Sequence, residues 1–93
     1  MTHANYVNSI SDKELMQAYR FIMDNKDGEL RELENINIGI PEYFSMLGFI
    51  SFGIDAHNTR RFKTTILGRQ YARVAYVVLS SKSEESKFAD LFV

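Results

Sequence analysis

This sequence predicts an α+β fold, mainly helical, and three observations carry that reading. A capped amphipathic segment begins at Ser11, two alternating segments stand between Gly48 and Leu67, and one long apolar-rich segment follows them. Ninety-three residues at 45% hydrophobic content suit one compact domain, since a chain of this size can bury a core but has no room for two. The expected division is 1–10 as an N-terminal lead-in, 11–80 as the domain, and 81–93 as a C-terminal extension with a possible short helix.

Met1 to Ser9 shows no periodicity, and its His3 carries no signal. Ser11 followed by Glu14 forms a capping box, in which each side chain satisfies a backbone N–H at the start of a helix. Ile10 and Leu15 stand where a hydrophobic staple places them. Leu15, Ala18, Tyr19, Ile22 and Met23 then mark a core-facing helical stripe, leaving Lys13, Gln17, Arg20 and Asp24 to water. Met16 and Met23 read as gap fillers of the core. Asn25-Lys26-Asp27-Gly28 stops the helix, with Gly28 expected in the left-handed conformation that ends helices cheaply. Asp27 is a candidate cap for a short helix over 29–35, which shows Leu30 and Leu33 on one side. Pro41 fits the first turn of a third helix, whose buried stripe is Ile40, Tyr43, Phe44 and Leu47. Gly48 ends it.

Ile50, Phe52 and Ile54 alternate with Ser51 and Gly53, and Phe62, Thr64 and Ile66 alternate with Lys63 and Thr65, the period of two of half-buried strands. Asp55 to Thr59 is the turn between them. Thr65 can cap a long helix from Ile66 to about Ser80, with Tyr71, Val74, Ala75 and Val78 as its core stripe. Tyr76, Val77 and Leu79 are apolar as well, so this helix implies a second buried surface. A polar break is expected over 80–86, followed by Phe88, Leu91 and Phe92 on a short terminal helix.

The net charge of -1 hides a segregation. Residues 1–55 hold nine acids and four bases, 56–83 hold six bases and no acid, and 84–93 hold three acids and one base. One reading is that the middle block neutralises the acidic surface of the folded chain; the other is an anion-facing ribbon and helix.

The order of three helices, a hairpin and a long helix resembles a winged-helix (winged helix-turn-helix) domain over Ser11 to about Ser80. Leu47-Gly48-Phe49-Ile50 resembles the turn that leaves the recognition helix for the wing, and Thr65-Ile66-Leu67-Gly68-Arg69 resembles the step from the wing into the last helix. The resemblance implies binding of double-stranded DNA, with residues 40–47 entering the major groove and the two-stranded hairpin acting as the wing. That helix has no lysine or arginine, a departure from the usual reading of bases by arginine, asparagine and glutamine. Ser45 could bond a base edge, Glu42 could accept from cytosine, and Asn35 or Asn37 could reach in from the preceding turn. Arg60, Arg61 and Lys63 on the hairpin, with Arg69 and Arg73 on the last helix, are the expected phosphate contacts, which position without specifying. The competing arrangement pairs Arg69 and Arg73 with acids of the first two helices and leaves only the hairpin cations free.

Catalysis is not expected. The chain has no cysteine and no phosphate-binding glycine loop or nucleophile elbow; His3 and His57 are far apart, and His57 reads as a solvated turn residue. No metal site or cofactor is expected, nor any membrane span, and the absence of cysteine fits a cytoplasmic location. Two functions remain: a small DNA-binding transcription regulator, or a winged-helix module that binds protein, its hairpin cations meeting an acidic partner. The first is expected as a homodimer built on Tyr76, Val77 and Leu79 with Phe88, Leu91 and Phe92.

Overall fold

A computed structural model describes residues 9–92, with side chains described for residues 9–81. Among these residues the fold is α+β, with four helices and a three-stranded antiparallel sheet, an order compatible with the winged-helix expectation. Helix α1 spans Asp12–Asp24, strand β1 Asp27–Glu29, α2 Leu30–Ile36, α3 Ile40–Met46, β2 Ile50–Ile54, β3 Arg60–Thr64, and α4 Ile66–Phe92.

The capping box forms as the spacing predicts. The Glu14 N–H donates to the Ser11 hydroxyl at 3.1 Å and the Ser11 N–H donates to Glu14 Oε1 at 2.9 Å. Helix α1 buries Ala18, Tyr19 and Ile22, and Ile10 joins the core beside them, so the lead-in is shorter than expected. The helix ends at Asn25, whose side-chain amide donates to the Phe21 carbonyl at 2.9 Å.

Gly28 does not end that helix, because it lies in β1 opposite Phe62 and does not take a positive φ. Strand β1 went unread because three residues cannot show a period. Its Gly28 leaves room for the Phe62 ring: a Cβ there would stand 3.0 Å from Phe62 Cε1. The sheet order is β1-β3-β2, with Phe52 opposite Phe62 and Ile50 opposite Thr64. Asp27 does not cap α2; Glu29 stands at that position, its N–H donating to Glu32 Oε1 at 3.2 Å.

The core is aromatic at its centre. Tyr19 stacks on Phe44 at 5.0 Å between centroids, and Phe49 stacks on Tyr71 at 4.7 Å. Burial, with the nearby Tyr43 and Tyr71, pushes the Tyr19 phenol well above its ordinary pKa of 10.0.

Helix α4 turns its expected face in part. Ala75 packs on the core as expected and the half-exposed Tyr71 stacks on Phe49, but the inward line is Gly68, Ala72, Ala75 and Leu79, whereas Val74 and Val78 are exposed. The reason is close approach: only a line of small residues lets α4 descend onto the Phe49 backbone and onto α1, so the bulkier stripe faces out. Leu47, expected in the core, is 40% exposed at the end of α3. Nor does the helix break over 80–86; it runs on to Phe92, so 81–93 is no separate short helix.

Candidate functional site

The hairpin is built by its turn. Asp55 Oδ1 accepts from the N–H groups of His57 at 2.9 Å and Thr59 at 3.0 Å, and Asn58 takes the left-handed conformation (φ 62°) that closes it. At its base Gly48 holds φ 77°, and the Thr65 hydroxyl donates to the Gly48 carbonyl at 2.7 Å while accepting from Gly68 N–H at 3.0 Å. One threonine therefore both caps α4 and ties the exit of the hairpin to its entry. The turn is closed by its own hydrogen bonds and the base of the ribbon is tied to the start of α4.

The charges are distributed otherwise than expected. Arg60 reaches Glu34 at 3.4 Å, and Arg61 reaches Asp27 at 3.2 Å and Asp55 at 4.0 Å. Among the described residues, Lys63, Arg69 and Arg73 have no acid within 4.0 Å. The competing arrangement is thus inverted, with hairpin arginines paired and α4 arginines open. Arg69 and Arg73 are one turn apart, and with Ile66 and Gln70 they line a shallow groove of about 220 Å³. Exposed pairs such as Arg60 with Glu34 are worth about 0–1 kcal/mol, so a phosphate can displace the acid.

The Asn37 side chain is engaged within the chain. Its amide donates to Glu14 Oε1 at 3.2 Å and to the Ser9 carbonyl at 3.4 Å, and its Oδ1 accepts from Gly39 N–H at 2.8 Å. It is a structural clamp between the start of α1 and the turn before α3. Ser45 is half-buried on α3 and makes no side-chain hydrogen bond among the described residues. Several large apolar groups are also exposed: Ile38 is 73% exposed and Met46 61%, with Phe52 at 51% and Ile54 at 67% on β2.

A larger groove of about 640 Å³ lies between α1 and α2, under Tyr76 of α4. Its walls mix Lys13 and Arg20 with Asp24 and Glu32, and Arg20 sits 5.9 Å from the Tyr76 ring centre and 3.6 Å from Asp24. Two cations and one acid on α1 face one acid on α2, so the groove carries balanced charge and favours neither an anion nor a cation. The described residues form no cluster of three or more histidines and acids able to hold a metal ion, and no helix among them is long and apolar enough to cross a membrane.

Of the expected dimer contacts, Leu79 is half-buried against this chain's own core, Tyr76 is half-buried beside Arg20, and Val77 is 62% exposed. Phe88, Leu91 and Phe92 lie outside the residues whose side chains are described. Compared with known families, curated proteins and solved structures, the chain finds no match.

Proposed function

We propose that this chain is a winged-helix domain that binds double-stranded DNA mainly through its phosphates. The observation that carries the reading is the open set Lys63, Arg69 and Arg73, on the hairpin and on the helix that leaves it, within a stretch that holds no acid from 56 to 83. Cations on two rigidly joined elements can follow a phosphate backbone without reading sequence. Helix α3, with Glu42 and Ser45 half-buried, Met46 exposed and no lysine or arginine, adds little base reading, so the protein binds DNA of mixed sequence with small differences between sites.

The test is fluorescence anisotropy on mixed-sequence duplex DNA across a salt series. Each cation that releases counterions contributes about 0.9 to the slope of log affinity against log salt, so alanine at Lys63, Arg69 and Arg73 lowers it by about 2 to 3. A parent protein with no affinity near 50 mM salt, a condition that strongly favours such contacts, would sink this reading.

A second reading is favoured by a separate observation. Phe52 and Ile54 stand exposed on one side of β2, and Ile38 is exposed in the turn before α3 and Met46 at its last residue. Apolar groups at those places suit a protein surface better than phosphates. Without DNA affinity, the domain is a protein-binding module.

A further inference from the structure

We propose that the outer stripe of α4, formed by Leu67, Tyr71, Val74 and Val78, is the docking surface for a second copy of this chain. The four residues recur at steps of four, three and four. That spacing keeps one side of a helix facing a partner helix along its length. They are 54%, 48%, 62% and 53% exposed, on the face of α4 adjacent to the small residues that approach Phe49 and α1; one side of the Tyr71 ring stacks on Phe49 and the rest of it is open. Single exposed apolar residues are ordinary, but an unbroken line of four is not.

The features of the stripe point to self-association. A twofold contact uses the same patch on both copies, so the patch must complement itself. This one has no charged residue, and two copies meet without setting like charges together. Its sizes also run in the right order. In an antiparallel pairing centred between Ala72 and Arg73, Leu67 of one copy meets Val78 of the other, and Tyr71 meets Val74. Every layer then sets a large side chain against a small one, the alternation that fills a helix interface. Complete burial of the four side chains together with Val77 hides at most on the order of 500 Å² per copy, which approaches the roughly 1,000 Å² total of a specific interface. Arg69 and Arg73 lie on the other flank of α4, since residues at 100° per step put them well away from the stripe. The inference therefore stands independently of DNA binding and leaves the cations uncovered.

Sedimentation equilibrium of the full chain from about 5 to 100 µM, a range matched to micromolar association, tests it. The parent is expected as a dimer. Val74→Glu with Val78→Glu should give a folded monomer by circular dichroism and sedimentation, whereas Ile66→Glu, 78% exposed on the arginine flank, should remain dimeric. A monomeric parent overturns the proposal, as does a double variant that stays dimeric or an Ile66→Glu variant that dissociates equally. Should the double variant unfold, the parent's melting temperature decides. A rise with protein concentration marks folding coupled to association and supports the proposal, and a constant value overturns it.

Discussion

Gly68 packs so closely on Phe49 that a Cβ at position 68 would stand 2.9 Å from both Cα and the carbonyl carbon of Phe49. Those are backbone atoms and cannot swing aside. Gly68→Leu should therefore destabilise the fold by about 1 to 3 kcal/mol or more through overpacking, although leucine is the better helix former. Gly68→Ala should already move the same way, against the gain of about 1 kcal/mol that alanine brings elsewhere in helices. Chemical denaturation of both variants checks this, and an alanine variant more stable than the parent would contradict the close approach.

Asn37 ties three segments, and its loss should be felt in stability and not in recognition. Asn37→Ala removes the bonds to Glu14, Ser9 and Gly39 and should lower stability by about 1 to 3 kcal/mol, the range for breaking partly buried hydrogen bonds. The ratio of affinities between two DNA sequences should stay constant. A variant of parental stability whose sequence preference changes would restore Asn37 as a base-reading residue.

The Glu14 carboxyl is held below its ordinary 4.5, first by the Ser11 N–H and next by the Asn37 amide. A depressed carboxylate contributes stability that is fully present above its unfolded pKa and is lost as pH falls through the folded one. Glu14→Gln should therefore melt below the parent at pH 7, and the gap should narrow as pH falls below 4.5. A gap independent of pH between 7 and 3 would show that the charge has no part in the cap.

What could be read from the sequence was whatever a local rule determines. The Ser11 and Glu14 cap, the stripe through Ala18, Tyr19 and Ile22, the Asp55 turn and the Thr65 cap each depend on residues a few positions apart. Strand β1 escaped because its existence depends on pairing with Phe62, far along the chain. The inward face of α4 is only half legible for a related reason. Hydropathy favours burying Val74 and Val78 along with Ala75, but the distance of approach to Phe49 is set by Gly68 and Ala72, and only contact geometry reveals that priority. The charges followed the same division. Acid-free composition located the basic block, yet which cations are open depends on acids brought in by β1 and α2, namely Asp27 and Glu34.

Those two acids also provide the sharpest separation between the two readings of the hairpin. Arg60 and Arg61 can reach a phosphate only by leaving Glu34 and Asp27, so on the DNA reading the acids act as competing anions within the protein. Asp27→Asn with Glu34→Gln should then raise affinity for mixed duplex DNA and steepen its salt slope by about 1 to 2, at about 0.9 per freed cation. Stability should change by no more than about 1 kcal/mol, because exposed pairs contribute little. The substitutions also make the protein more positive, and any such change attracts DNA to some degree. Asp12→Asn with Asp24→Asn makes the same charge change on α1, away from the hairpin. If the two double variants gain affinity equally, the effect is general attraction and the hairpin does not touch phosphate. If only the Asp27 and Glu34 variant gains, Arg60 and Arg61 enter the contact as their acids release them, and the ribbon touches phosphate.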